Sequence, residues 1–157
     1  MNDLSIYESG NGGDVRLLGN DLETTDSYFN MPYLAWFGGN PGFNTSINTE
    51  EGEQNFDWFG NDLLMFNESD IQFNSLLENA LNTIALDSNG RNLIENQAKI
   101  DLDFFSTFAL VDVNVSIIDD DKVQIDLELT KPSNLDVKSF QFIWDATTQE
   151  VIENKIL

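Results

Sequence analysis

The most regular alternation of hydrophobic and polar positions lies in the last third of the chain. Val111, Val113, Val115 and Ile117 alternate with Asp112, Asn114 and Ser116. Beyond Asp119-Asp120-Asp121, Val123, Ile125, Leu127 and Leu129 alternate with Gln124, Asp126, Glu128 and Thr130. A period of two with one apolar side belongs to a strand with one buried face, so the pattern predicts a β-hairpin turning at the three aspartates. Pro132 ends its second strand, and Phe140, Phe142 and Trp144 carry the same period into a third, 138–144. Residues 147–157 follow as a short tail that can extend a sheet edge beyond the domain.

Upstream the period changes to that of a helix. Phe73, Leu77, Ala80, Leu81 and Ile84 fall on one helical face, preceded by Ser69 and Gln72 at capping-box spacing and ended by Ser88-Asn89-Gly90. Asn92 with Glu95 offers a second N-terminal cap, and Ile94, Ala98, Leu102, Phe105 and Ala109 draw a second apolar stripe to about residue 108. Two helices joined by so short a turn pack antiparallel or at a steep angle. Nearer the start, Tyr28, Phe29, Tyr33, Trp36 and Phe37 recur at helical spacing before Gly38-Gly39, although Pro32 predicts a regular helix only from about Met31. Leu4, Ile6 and Tyr7, then Val15, Leu17 and Leu18, predict a short strand pair, followed by a tight turn at Gly19-Asn20-Asp21. Residues 38–57 are rich in Gly, Asn, Thr and Glu and predict a long loop. Gly-Asn-Asp-Leu occurs at Gly19–Leu22 and again at Gly60–Leu63 in unrelated surroundings, as two uses of favourable turn chemistry rather than a repeat. The expected fold is a single α+β domain over 1–157, with an antiparallel C-terminal sheet of a hairpin plus a third strand packed on two helices, and a short N-terminal strand pair and helix.

Composition narrows the chemistry. The 157 residues, 41% of them hydrophobic, suffice for one buried core. Twenty-eight acidic residues against seven basic ones give a formal charge of −21, which repels nucleic acid phosphates and anionic lipid and excludes both as expected partners. Such a charge fits either a cationic partner surface or an acidic face kept for solubility or a salty environment. With no cysteine and no histidine, disulfides, thiolate nucleophiles, Cys/His zinc sites and imidazole-based triads are excluded. The segment Met1–Glu8 lacks a basic stretch and a long apolar run, so no signal peptide and no spanning helix are expected.

Three stretches invite a chemical reading. Asp119-Asp120-Asp121 has the oxygen donors calcium takes, but aspartate is favoured in turns for backbone reasons, and turn geometry is the expected role. The run from Asp87 to Arg91 lacks the alternating oxygen ligands and distant glutamate of a calcium loop. Glycoside hydrolysis needs two carboxylates, but among 28 acids a pair singles out nothing. No cofactor or metal is expected.

The order of elements then bears on function. A strand with its turn (14–23), a helix ending near Phe37, a Gly/Pro loop, Trp58-Phe59 before Gly60-Asn61, two helices, an alternating hairpin and a final Phe-x-Phe-x-Trp strand resemble the baseplate wedge proteins of Mu-like contractile-tailed phages. That family is similar to the sheath-initiator, or lysozyme-like wedge, proteins of other contractile tails. The resemblance covers roughly residues 14–145. Where such relatives carry two tryptophans and Gly-Asp, this chain has Trp58-Phe59-Gly60-Asn61 and then Asp62, and its preceding loop is acidic, Glu50–Glu53, rather than arginine-bearing.

The resemblance implies a structural, non-enzymatic component of the virion tail baseplate, made in the host cytoplasm, present in several symmetric copies and contacting other wedge, tube and sheath proteins. It implies sheath initiation by strand pairing at the C-terminal sheet. Trp58 and Phe59 either plug the core or anchor an interface, and Phe140, Phe142 and Trp144 are further interface candidates. The alternatives are the equivalent subunit of a phage-derived injection particle or, from another class, a calcium-dependent carbohydrate-binding module or glycosidase.

Overall fold

The computed structural model describes residues 2–8, 13–39, 74–132 and 136–157. Their fold is α+β, with three helices, a four-stranded antiparallel sheet at the C-terminal end and three two-stranded ribbons at the N-terminal end.

The ribbons are β1 (Asn2–Leu4) with β6 (Thr24–Asp26), β2 (Ile6–Glu8) with β3 (Gly13–Val15), and β4 (Leu17–Leu18) with β5 (Asp21–Leu22). The expected strand pair is present in part, with Ile6 opposite Val15, but Leu4 pairs with Thr24 and Leu17 with Leu22, so it is one arm of three. Single residues join the arms: Ser5, Arg16 and Glu23. Their backbones close a ring in which Ser5 N donates to Glu23 O (2.8 Å), Glu23 N to Arg16 O (2.9 Å) and Arg16 N to Ser5 O (2.9 Å). Gly19, at φ +69°, supplies the left-handed residue in the β4–β5 turn.

Helix α1 is Ser27–Phe37 and includes Pro32, so it starts a full turn before the position the proline suggested. Pro32 gives up one intrahelical bond, and the buried Phe29, Tyr33, Trp36 and Phe37 hold the helix despite that loss. Helix α2 is Leu76–Thr83, capped by Ser75, whose Oγ accepts from Glu78 N at 2.8 Å. The cap is therefore the Ser75–Glu78 pair; Ser69, Gln72 and Phe73 lie outside the described residues. Helix α3 is Ser88–Asp101, capped by Asp87, which accepts from Asn89 N (2.9 Å) and Gly90 N (2.7 Å). Ser88-Asn89-Gly90 thus starts this helix instead of ending the previous one, and Asn92 is inside it. After Leu102 the stripe continues through a 3-10 helix, Asp103–Thr107, that brings Phe105 under the sheet.

The sheet is a meander in the order β10-β9-β8-β7. Strands β7 (Leu110–Asp119) and β8 (Lys122–Lys131) form the predicted hairpin, with Val113 opposite Leu127 and Val115 opposite Ile125. Strand β9 (Asp136–Asp145) sets Phe140, Phe142 and Trp144 opposite Leu127, Ile125 and Val123. The expected tail is instead a fourth strand, β10 (Glu150–Ile156), antiparallel to β9 with Val151 opposite Trp144 and a bulge before Glu153. The sequence in this strand hides it because the bulge breaks the alternation after Val151, the one residue of β10 that is buried.

One contiguous core joins all three helices to the inner face of the sheet. Its centre is aromatic and includes α1 as a full partner, beyond the two helices expected. Phe29 meets Phe140 with ring centroids 5.7 Å apart, Trp36 meets Phe142 edge-on at 5.3 Å, and Phe37 stacks on Trp144 at 6.1 Å. No helix among the described residues is long and apolar enough to cross a membrane.

Candidate functional site

Of the five residues singled out as interface candidates, Trp58 and Phe59 lie outside the described residues. Phe140, Phe142 and Trp144 point inward and are 1–3% exposed; the period that identified them as a strand face also commits that face to the core. They serve the surface only by fixing the register of the strand next to them.

That strand is β10, and the two edges of the meander differ. At the β7 edge, side chains of α3 occupy the unpaired backbone groups of Val115. Arg91 Nη1 donates to Val115 O at 3.1 Å and Val115 N donates to Glu95 Oε2 at 3.4 Å. Glu95 is held in place by Arg91 at 3.1 Å and Lys99 at 2.7 Å. The Lys99 hydrogen bond foremost, with the Val115 amide and the Arg91 charge, lowers the Glu95 carboxyl below its ordinary value against a smaller effect of burial. One carboxylate and one guanidinium thus stand where a neighbouring strand would.

At the other edge, β10 is paired in the sheet with β9 alone, and the N-terminal strand β2 lies close beside it without pairing. Leu157 N donates to Ser139 O at 2.9 Å, in line with Glu153 opposite Ile143 and Lys155 opposite Gln141. Because backbone groups alternate sides along an antiparallel strand, the N–H and C=O of Asn154 and Ile156 face away from β9. Exposed Ile152, Ile156 and Leu157 flank this row, at 50%, 56% and 66% exposure.

At the end of the sheet, two turns interlock. Ala146 N donates to Asp121 O at 2.7 Å, Thr147 Oγ1 donates to Asp121 Oδ2 at 3.0 Å, and Lys122 Nζ lies 2.8 Å from Asp121 and 3.6 Å from Asp145. The Lys122 and Thr147 hydrogen bonds lower the Asp121 carboxyl below its ordinary value. Asp121 therefore splices the β7–β8 turn to the β9–β10 turn, a role beyond the chain reversal expected of it. No group of three potential metal ligands occurs among the described residues.

Charge is distributed just as unevenly. Of the seven basic residues, Arg16, Arg91, Lys99, Lys122, Lys138 and Lys155 each pair with an acid of this chain, and Lys131 lies over the Tyr28 ring at 3.8 Å. The chain's own cations are therefore already engaged and leave most of its acidic residues without a basic partner.

Sequence reasoning missed a polar cluster at the start of α2. Asp101, the last residue of α3, accepts from Leu76 N (3.0 Å) and Leu77 N (2.8 Å), and Ser75 Oγ lies 3.4 Å from it. Ser75 Oγ donates to Trp36 O at 2.6 Å, and Trp36 Nε1 donates to Ala98 O at 3.0 Å. The Ser75-x-x-Glu78 spacing carried a capping signal that could have located it. Compared with protein-family models, with curated proteins and with solved structures, the chain finds no match in any of the three.

Proposed function

We propose that the chain is a structural, non-catalytic component of a contractile-tail baseplate wedge, present in several symmetric copies, that joins wedge components to tube and sheath and templates the first sheath subunits. The carrying observation is the difference between the edges of the meander: at β7, Arg91 and Glu95 occupy the backbone groups of Val115, while β10, with β2 beside but not paired to it, turns the backbone groups of Asn154 and Ile156 away from β9. An open edge is a template for another strand, and proteins normally blunt such edges unless a partner covers them. A partner strand adds to β10, its backbone bonds set the register, and Ile152, Ile156 and Leu157 supply apolar contact. The order of elements along residues 14–145 supports the same reading.

Charge supports it as well. Glu150 and Glu153 on β10 and the overall charge of −21 oppose pairing with a second copy while favouring a more basic strand. In this reading the pairing strand is β10, because β9 is enclosed between β8 and β10.

Ile156→Pro tests the reading, because it deletes an outward donor and leaves the β9 bonds of the neighbouring residues in place. The expected result is a near-normal melt with tails that fail to nucleate sheath. Normal sheath assembly by this variant, or a particle reconstruction that places the chain away from the baseplate, overturns the proposal.

A further inference from the structure

The two carboxyls at the start of α2 have unequal surroundings. Asp101 accepts from two backbone amides at a helix N-terminus, where negative charge is favoured. Ser75 has a single hydroxyl proton, and its bond to Trp36 O (2.6 Å) is far shorter than its approach to Asp101 (3.4 Å). Glu78 sits in the same turn, yet its Oε2 is buried with no hydrogen-bond partner. We infer that Glu78 and Asp101 form a proton-operated latch: with a proton on Glu78 the first turn of α2 is docked on the end of α3, and loss of that proton loosens it.

The proton belongs on Glu78 because Asp101 uses its lone pairs for the amides, whereas the buried Oε2 of a charged Glu78 has no hydrogen-bond donor, and the helix end alone compensates it. Among the described residues, Asp101 is the group whose charge acts on Glu78. Helix α1 offers the Trp36 carbonyl, and Lys99, two residues before Asp101, is turned to Glu95 at 2.7 Å. Burial first, and the Asp101 charge second, push Glu78 up to about 7. Burial raises Asp101 to about 6 against the opposing hydrogen bonds of Leu77, Leu76 and Ser75. Glu78 therefore takes its proton more readily in the folded chain than in the unfolded one. The stabilisation is complete below the ordinary value of 4.5 and is lost as pH rises through about 7.

Hydrogen exchange of the Leu76, Leu77 and Glu78 amides between pH 5.5 and 8 tests the latch, after correction for the intrinsic pH dependence of exchange. Ile125 and Leu127 in β8 serve as reference amides. Relative to these, the opening equilibrium of the first turn should rise on the order of tenfold toward pH 8. Glu78→Gln, which keeps the shape and removes the charge, should remove most of the rise and leave only the smaller part that Asp101 contributes. A Glu78 carboxyl resonance that titrates in the ordinary range, an equal change in the β8 amides, or unaltered pH dependence in Glu78→Gln overturns the inference. Should the variant fail to fold, the carboxyl titration of the parent protein decides alone.

Discussion

Glu95 stands beside Val115 as a substitute strand: its Oε2 accepts from the Val115 amide at 3.4 Å, and Arg91, one helical turn earlier, donates to the Val115 carbonyl at 3.1 Å. Removing the carboxylate frees one backbone donor and leaves Arg91 and Lys99 without a shared partner. Glu95→Ala should cost about 1 kcal/mol by urea denaturation. It should also shift sedimentation toward dimers at high protein concentration, because the β7 edge is no longer closed. A variant that is equally stable and monomeric at every concentration would show that these contacts are incidental.

The indole nitrogens of Trp36 and Trp144 predict opposite responses to the same substitution. Trp36 Nε1 has an acceptor in Ala98 O, whereas Trp144 Nε1 is buried with none. Trp36→Phe leaves a buried carbonyl unmatched, while Trp144→Phe relieves an unmatched donor. Denaturant midpoints should place Trp36→Phe below Trp144→Phe by about 1 kcal/mol or more, despite equal loss of ring area.

Gly90 permits the tight α2–α3 turn. A Cβ at this position would lie 1.9 Å from the Ala85 carbonyl oxygen and 2.9 Å from Ile84 Cγ2. Alanine normally strengthens a helix, yet Gly90→Ala should destabilise by about 1–3 kcal/mol, the cost typical of overpacking. An unchanged melt would mean that the turn opens freely.

Salt should stabilise this protein strongly. Its cations are already engaged, so the acidic excess repels itself across the surface. Raising ionic strength from about 0.01 M to about 1 M shortens the screening length from about 30 Å to about 3 Å. Thermal scans should show a rise of several degrees, and sodium should act as well as calcium at equal ionic strength. A specific calcium effect abolished by replacing Asp119, Asp120 and Asp121 would reinstate a metal site at that turn.

Much of this fold was legible in period alone. The β7–β8 hairpin and the inward side of β9 follow from unbroken alternation, and the α3 stripe from Ile94 to Phe105 follows from helical spacing, because each face has one destination. The misreadings share a physical cause, competition between local signals. Pro32 outweighed the aromatic burial that holds α1, Asn92 outweighed the Asp87 cap, and the bulge after Val151 concealed β10. The candidate site was less legible because a strand edge consists of backbone groups, which leave no residue code. Phe140, Phe142 and Trp144 were conspicuous as side chains, and that is why they are in the core.

The ring of Ser5, Arg16 and Glu23 makes the N-terminal end of the chain a branch point rather than a path. The β2–β3 arm leaves the triangle at Ser5 and returns at Arg16, and the β4–β5 arm leaves at Arg16 and returns at Glu23, so either can lose or gain a pair of residues without altering where the others start. Length variation among homologous chains should therefore accumulate at the tips of β2–β3 and β4–β5, while the three single-residue joints keep their spacing to the arms. The triangle would then act as a socket in which the two loops vary without disturbing the entry of β6 into α1.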